Sequence, residues 1–208
     1  MIRDIIFDLG NVLVPLNWDH AFERLIPHLS DELIHMKETR PTAFESLFYG
    51  PAVALETGKI DFAKFHEIVT AILDTPIDQK EFRDMWCSIF TLDDRMADLA
   101  ESLSDDYGAW LASNTSRAHW RYIIAKYPRL SFFKGAALSF ELNSMKPSPF
   151  YFQKALELFG INPKTSVFID DIEENVLGAV NLGMTGIVYK DRMQLLDELH
   201  ALGVHERV

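Results

Sequence analysis

The apolar and polar positions along the chain divide it into three stretches with different periodicities. The first stretch, Ile2–Asp8, is a short apolar run that ends at a turn-like cluster over residues 8–11. Continuous apolar runs of this length are typical of strands buried on both faces, as in a parallel sheet. The second stretch, about residues 19–87, repeats apolar residues at helical spacing and is interrupted by prolines and glycines. It predicts a block of helices.

From about residue 92 onward, helical and strand patterns alternate. Helices are predicted at 93–103, 116–127, 148–159, 175–182 and 193–202, and apolar strand-like runs at 107–112, 136–140, 165–169 and 186–189. Alternation of this kind is typical of parallel strands joined by right-handed crossovers. We therefore predict an α/β fold, with a Rossmann-like parallel sheet core formed by residues 1–15 and 88–208. Residues 16–87 form an inserted α-helical segment in this prediction.

The composition narrows the function classes. The 208 residues include 20 Lys and Arg against 31 Asp and Glu, a formal net charge of −11. This excess argues against nucleic acid or an anionic membrane surface as the main partner. The excess of acidic side chains serves solubility, or some of these side chains are clustered to hold a cation. A single cysteine cannot form an intramolecular disulfide, and the charged residues 1–10 do not fit a signal peptide. We expect a cytoplasmic protein.

The chemically interesting polar residues follow the predicted strands. They are Asp8, Ser113–Thr115, Ser144–Lys146, Asp170 and Asp171. In an open parallel sheet, ligands bind just outside the carboxyl ends of the strands. Each residue alone is typical of a turn or a helix cap. Three carboxylates brought to one place repel each other unless a cation or a proton relieves them, and oxygen ligands of this type suit Mg²⁺.

Four short motifs, in this order, resemble the haloacid dehalogenase-like superfamily over nearly the whole chain. They are DLGNV at 8–12, SNT at 113–115, KP at 146–147, and FIDD at 168–171 followed by Asn175. The helical insert after the first motif resembles the type I cap of this superfamily. The first and last motifs are most similar to the branch that includes α-glucose-1-phosphate phosphatase and the phosphatase domain of soluble epoxide hydrolases.

The resemblance implies an Mg²⁺-dependent phosphomonoester hydrolase that acts on a small phosphorylated metabolite, for example a sugar phosphate. Asp8 would attack phosphorus and form an aspartyl-phosphate, which divides one difficult displacement into two easier steps. Ser113 and the amide and backbone of Asn114 would bind the phosphoryl oxygens. Lys146 would offset the negative charge of Asp8 and of the phosphoryl group, as a compact point charge can.

The resemblance also implies a set of metal ligands. Asp8, the backbone carbonyl of Gly10 and Asp171 would hold Mg²⁺. Asp170 and Asn175 would support these ligands without contacting the metal. Phosphoryl transfer depends mostly on positioning and charge stabilisation, which such a set of residues supplies.

The chain departs from the family pattern at Gly10, where the phosphatases usually carry an aspartate that acts as general acid and base. A positioned acid contributes about 10²–10⁴-fold to the rate. A cap side chain such as His20 or Asp19 could supply the proton, or the substrate could have a good leaving group. Alternatively the chain is a 2-haloacid dehalogenase, or a catalytically weak binding protein. The adjacent Asp170 and Asp171 argue against the dehalogenase, because they would repel the carboxylate of a haloacid.

The cap segment would set substrate specificity. Residues 19–87 carry 7 basic and 13 acidic side chains, a net charge of −6, which favours a small monophosphate with a neutral remainder. The two chain crossings near 15–18 and 86–92 would be its hinges. Several aromatic residues either pack as a core or line a sugar pocket: Trp18, Phe44, Phe48 and Tyr49.

Overall fold

The computed structural model describes residues 1–206. Its strands are β1 (Asp4–Phe7), β2 (Gly108–Ser113), β3 (Ala136–Leu138), β4 (Ser166–Asp170) and β5 (Thr185–Val188). The helices that precede β2 are α1 (Trp18–Leu25), α2 (Asp31–Thr39), α3 (Pro41–Glu56), α4 (Phe62–Thr70), α5 (Gln79–Trp86) and α6 (Asp94–Ser104). Those that follow it are α7 (Arg117–Lys126), α8 (Ser139–Leu142), α9 (Pro149–Phe159), α10 (Glu173–Val180) and α11 (Arg192–Ala201). Within the described range, no helix has both the length and the apolar character needed to cross a bilayer.

The five strands form one parallel sheet in the order β3-β2-β1-β4-β5. β1 lies at the centre, where Ile5 pairs with Ala109 on one side and with Val167 on the other. The strand order reverses at β1, because the chain next enters the sheet at β2 and later returns to β4 on the opposite side. A crevice therefore opens at the carboxyl ends of β1 and β4. The predicted α/β fold with a Rossmann-like parallel core is confirmed.

Helices cover both faces of the sheet, and the alternation of side chains along β1 assigns its residues to two hydrophobic layers. Ile5 and Phe7 pack in the larger layer, which also includes residues of α6, α11 and the helical insert. Ile6 packs in the smaller layer, together with Phe152 of α9 and Phe168 of β4. Burial on both faces explains why this strand is a continuous apolar run rather than an alternating one.

The third strand is shorter than the sequence predicts. The apolar run at 136–140 leaves the sheet after Leu138, and its last two residues begin the short helix α8. Ser139 Oγ accepts a hydrogen bond from the Thr115 backbone N–H (2.9 Å) and donates one to the Thr115 carbonyl (3.0 Å). This tertiary contact replaces a further strand pair. Ser144–Lys146 follows the third strand, and the helical turn α8 lies between them.

The helical insert is joined to the sheet by two paired chain segments. Leu16 and Phe90 form an antiparallel bridge. The Asn17 N–H donates to the Ile89 carbonyl (2.8 Å), and the Asp93 N–H donates to the Leu13 carbonyl (2.9 Å). The pairing lies close to the crossings expected as hinges. The division into residues 16–87 and the remainder stays a prediction, and its two boundaries fall beside this pairing.

An aromatic core holds the helices of the insert together. Phe44 is buried and lies 5.8 Å from Phe22 and 5.2 Å from Phe48, measured between ring centroids. Trp18 packs edge-on against Trp86 at 5.2 Å. Tyr49 instead is 71% exposed. For Phe44 and Phe48, core packing is therefore the observed role. Such aromatic pairs contribute about 0.5–1.5 kcal/mol each beyond their buried area.

Candidate active site

Three carboxylates meet at the carboxyl ends of β1 and β4. Asp8 follows β1, Asp170 is the last residue of β4, and Asp171 comes next. Phe7 and Ile169 are register partners on these two neighbouring parallel strands, so the residues that follow them meet at one edge. Each carboxylate offers an oxygen within 4.8 Å of the others. The structure thus assembles the acidic cluster that the sequence predicts.

A buried lysine lies between two of these carboxylates. Lys146 Nζ is 2.8 Å from Asp8 Oδ1 and 2.6 Å from Asp170 Oδ2, and it donates to the Ala112 carbonyl at 2.9 Å. An ammonium group has three N–H donors, and here each has an acceptor. The side chain of Lys146 is only 1% exposed. Its charge is therefore held at one point between β1, β2 and β4.

Asn114 positions Lys146 through a pair of reciprocal hydrogen bonds. Asn114 Oδ1 accepts from the Lys146 backbone N–H (2.8 Å), and Asn114 Nδ2 donates to the Lys146 carbonyl (3.0 Å). The loop after β3 cannot bring Lys146 to the site by strand pairing, so this amide fixes it there. The sequence predicts only a phosphoryl-binding role for Asn114. In the structure its side chain has this additional function, and the phosphoryl-binding role stays a prediction.

Asp170 is held rigidly by its neighbours. It is completely buried. Its Oδ1 accepts from the Ile172 backbone N–H (2.9 Å), and Asn175 Nδ2 donates to both oxygens at 3.0 and 3.2 Å. With Lys146 on Oδ2, both oxygens of Asp170 are engaged. The role of Asp170 and Asn175 in supporting metal ligands stays a prediction.

Asn11 is a site residue to which the sequence reasoning assigns no role. Its Nδ2 donates to Asp171 Oδ2 at 3.0 Å, and its Oδ1 accepts from the Leu16 backbone N–H at 3.2 Å. Its backbone is left-handed, with φ of 52°. Asparagine adopts this conformation more readily than most residues. A Gly-Asn pair within four residues of the end of a buried strand was the available signal for this turn.

The charges of the site do not balance internally. Burial raises the pKa of Asp8 from 3.8 to about 7, and Asp170 adds to this, whereas Lys146 and the Leu9 N–H oppose it. Burial alone would lower the pKa of Lys146, but the two carboxylates hold it above its ordinary value. Three ionised carboxylates against one ammonium leave a net charge of −2. A divalent cation would compensate this charge, and hard oxygen donors suit one.

Ser113, Gly10 and His20 are the remaining predicted site residues. Ser113 ends β2 and is buried. Gly10 forms a bridge with Val14. His20 lies exposed on α1, where its backbone N–H donates to Asn17 Oδ1. Across residues 1–206, no hydrogen bond or ion pair joins the His20 side chain to the three carboxylates. Its role as proton donor stays a prediction.

Comparison with protein families identifies the chain. A family profile described as haloacid dehalogenase-like hydrolase matches residues 2–183. The chain belongs to this hydrolase family. The resemblance stated from the four motifs is thereby confirmed. In this hydrolase the acidic residues of the motifs lie at the carboxyl edge of the parallel sheet.

Alignments with individual relatives cover most of this hydrolase. It is 25% identical over 191 residues to a D-ribitol-5-phosphate phosphatase of Bacteroides thetaiotaomicron, an alignment that covers 88% of the chain and 89% of the relative. A HAD family enzyme of the same species, solved in complex with magnesium and inorganic phosphate, superposes with a TM-score of 0.79 at 26% identity, covering 91% and 95% of the two chains. A predicted HAD-like hydrolase from Porphyromonas gingivalis, at 24% identity and a TM-score of 0.78, covers 99% and 100% and shares the fold.

Proposed function

We propose that this hydrolase is an Mg²⁺-dependent phosphomonoester hydrolase that acts on a small phosphorylated metabolite. The proposal rests chiefly on Lys146, which is fully buried between Asp8 and Asp170 beside a third carboxylate. Such a constellation combines a nucleophile, a fixed positive charge and an excess of hard oxygen donors, and phosphoryl transfer through a covalent aspartyl-phosphate uses all three. The phosphatase and the magnesium–phosphate complex among its relatives support the same reaction class.

The residues present fit a magnesium ion. Asp8 Oδ1 receives both hydrogen bonds given to this carboxylate in the described chain, from Leu9 N–H (2.7 Å) and Lys146. Its Oδ2 is therefore open, and with Asp171 and the Gly10 carbonyl it would hold the ion. Bound Mg²⁺ would supply the positive charge that lets a phosphate dianion approach three carboxylates. Asp170 and Asn175 would keep the arrangement rigid.

The remaining steps follow from the residues themselves. The Asp8 carboxylate attacks phosphorus, a P–O bond to Asp8 forms, and the P–O bond to the alcohol breaks. Water then hydrolyses the aspartyl-phosphate and releases inorganic phosphate. Lys146 stabilises the negative charge on the phosphoryl oxygens, and the Ser113 hydroxyl with the Asn114 backbone orients them. Asn114 also contributes through its side chain, because it fixes the loop that carries Lys146.

The substrate class is a small phosphate ester with a leaving group that needs little protonation, since Gly10 carries no acid. Among sugar phosphates an anomeric phosphate meets this condition, whereas a polyol phosphate, as in the name of the D-ribitol-5-phosphate phosphatase among the relatives, has an alcohol leaving group that needs a proton. His20 or Asp19 would supply the proton where the leaving group is poor. A His20→Ala variant that turns over such esters at the parent rate would remove His20 from this role.

The experiment is a panel of phosphate esters that includes sugar, polyol and aryl phosphates, assayed for phosphate release with and without Mg²⁺. We expect turnover that requires Mg²⁺ and falls at least about 10³-fold in Asp8→Asn, because the nucleophile is lost. Asp197→Asn, which removes an exposed carboxylate on α11 outside the site, is the control. Absence of turnover across the panel would overturn the proposal. Halide release from 2-haloacids without metal would favour the dehalogenase.

A further inference from the structure

A cavity of about 500 Å³ lies at the junction of the helical insert and the sheet core. Its walls come from the α3–α4 connection and α5 on one side and from α7 and α8 on the other. Its lining includes neither Lys146 nor any of the three carboxylates of the candidate active site. Small-molecule sites typically occupy roughly 300–1,000 Å³. The cavity is therefore a separate space of suitable size.

The lining of this cavity is basic, although the insert as a whole is acidic. Four cationic side chains converge on it from both sides: Lys59, Arg83, Arg117 and Arg121. Across residues 1–206, the structure gives none of the four an ion-pair partner. We call this space, defined by these four residues, the basic cavity. Its charge is available to a ligand.

The two acidic residues in the lining already have other partners. Asp61 caps α4, where its Oδ1 accepts from the Lys64 backbone N–H at 2.8 Å. Asp84 Oδ2 pairs with Lys80 Nζ at 3.1 Å, within α5. Four cations against two carboxylates leave the lining with a net charge of +2. An anion entering the basic cavity would meet this excess positive charge.

Aromatic rings orient two of the arginines without neutralising them. The Arg83 guanidinium lies 4.8 Å from the centroid of the Phe62 ring, and that of Arg117 lies 4.9 Å from the Phe140 ring. Both rings line the same cavity. A stacked guanidinium keeps its charge and its planar fork of N–H donors for an oxyanion. One such pair belongs to the insert and the other to the core, so they face the cavity from opposite walls.

The junction that carries the basic cavity is closely packed. Gly58 has a φ of +69°, and a Cβ there would lie 2.5 Å from the Phe140 carbonyl oxygen. Asn143 Nδ2 donates to the Thr57 carbonyl at 3.1 Å. The α3–α4 connection is thus seated directly on α8. The cavity is a defined space between two packed walls rather than a gap between separate surfaces.

Part of the lining is apolar. Leu55, Ile60 and Cys87 contribute to it, and burial raises the pKa of the Cys87 thiol to about 12, so that it stays neutral. This agrees with the packing role that is usual for a buried cysteine. A ligand that fills the cavity needs an apolar or planar portion as well as a negative group.

We infer that the basic cavity binds a small organic anion at a site separate from the carboxylate cluster. Its phosphate or carboxylate group would lie between the guanidinium groups of Arg83, Arg117 and Arg121, and its apolar remainder would contact Leu55 and Ile60. A ligand in this position contacts the insert and the core at once. It would therefore fasten the two together.

The test uses phenylphosphonate, which joins an oxyanion to an apolar ring through a P–C bond that a phosphatase does not cleave. It is titrated by calorimetry into the Asp8→Asn variant without Mg²⁺, so that the result does not depend on the proposed phosphatase activity. We expect saturable binding that weakens about tenfold or more in Arg83→Gln and in Arg121→Gln, since each removes charge-assisted hydrogen bonds. Arg95→Gln, an exposed arginine outside the lining, should bind like the parent.

Two further ligands show which anionic group the basic cavity binds and whether binding needs an apolar part. Inorganic phosphate alone should bind more weakly than phenylphosphonate, because it has no apolar part. Benzoate tests the carboxylate group, and arginine-dependent binding of either phenylphosphonate or benzoate supports the inference. Absence of saturable binding of both, or binding unchanged by all the cavity arginine substitutions, would overturn it. Circular dichroism and the Tm of each variant confirm that it is folded like the parent.

Discussion

Two charged regions lie where the helical insert meets the sheet, and they hold their charges in opposite ways. In the carboxylate cluster, Lys146 and Asp170 are buried, and every donor of the lysine has an acceptor. In the basic cavity, Arg83 and Arg121 are exposed and have no ion-pair partner among residues 1–206. The first region is about −2 and the second about +2 in formal charge. Each is complementary to a different ligand.

The difference reflects the free energy of desolvating a charge. A charge removed from water must be compensated within the fold. If one member of a buried ion pair is lost, the other stays buried without a partner, and its desolvation is no longer compensated. An exposed guanidinium keeps its hydration and needs no such partner. Substitutions in the carboxylate cluster should therefore change stability as well as catalysis, whereas those in the basic cavity should change binding alone.

The largest expected effect is that of Lys146→Met. It leaves Asp8 and Asp170 buried without their shared cation, and we expect the free energy of unfolding to fall by about 3–5 kcal/mol. Urea denaturation without Mg²⁺ measures it. Lys80→Met, which breaks the exposed pair with Asp84, is the control and should change stability by no more than about 0.5 kcal/mol. Equal losses in the two variants would contradict the comparison.

A half-buried carboxyl in the insert gives a pH-dependent effect. Burial raises the pKa of Glu56 from 4.5 to about 7. The folded state therefore favours the protonated form, and its stabilising contribution, present below about pH 4.5, is lost as the pH rises through 7. We expect Glu56→Gln to gain on the order of 1–2 kcal/mol of stability over the wild type between pH 5 and pH 8. Thermal unfolding across this range measures the gain.

Glu45→Gln is the matched control for that measurement, because Glu45 lies exposed on the same helix, α3. Its stability should follow the pH dependence of the wild type. A Glu56→Gln variant that also follows the wild type at every pH would show that burial does not shift this carboxyl.

A carboxylic acid introduced at Gly10 should raise the rate of phosphate-ester hydrolysis by at least about tenfold where the leaving group is poor. A Cβ at Gly10 would meet Leu16 Cδ1 at an ordinary 3.6 Å, so the site accommodates a side chain. We expect Gly10→Asp to accelerate hydrolysis of esters with poor leaving groups by about 10–100-fold, because it supplies the absent general acid. Aryl phosphates with good leaving groups should change little. Gly10→Asn, similar in shape but without an acidic proton, should show no such acceleration.

The smallest expected effect belongs to the basic cavity. Arg83→Gln removes only an exposed contact with the Phe62 ring, and we expect the free energy of unfolding to change by about 0.5 kcal/mol or less. Chemical denaturation of Arg83→Gln beside Arg95→Gln measures it. A loss of several kcal/mol would mean that the arginine is a structural element, and the contrast between the two regions would then disappear.

Much of the architecture follows from local pattern. The apolar run around Ile6 predicts the central strand, since a strand covered on both faces has no polar side. Asp61 caps the start of α4 and Gly160 caps the end of α9 in the left-handed conformation, the positions that these residue types favour. The end of the third strand was missed. Ser139 is bound to Thr115, 24 positions away, and no local pattern encodes that contact.

The sequence by itself determined the order of strands and helices, the family and the residues that gather at the carboxyl edge of the sheet. These follow from periodicity and motif order, which are local properties of the chain. Tertiary structure alone decided that Asn114 positions Lys146, that Asn11 holds Asp171, and that four cations of an acidic protein converge on one cavity. The net charge of a segment sums its residues without regard to position, whereas a binding site depends on which side chains converge in space.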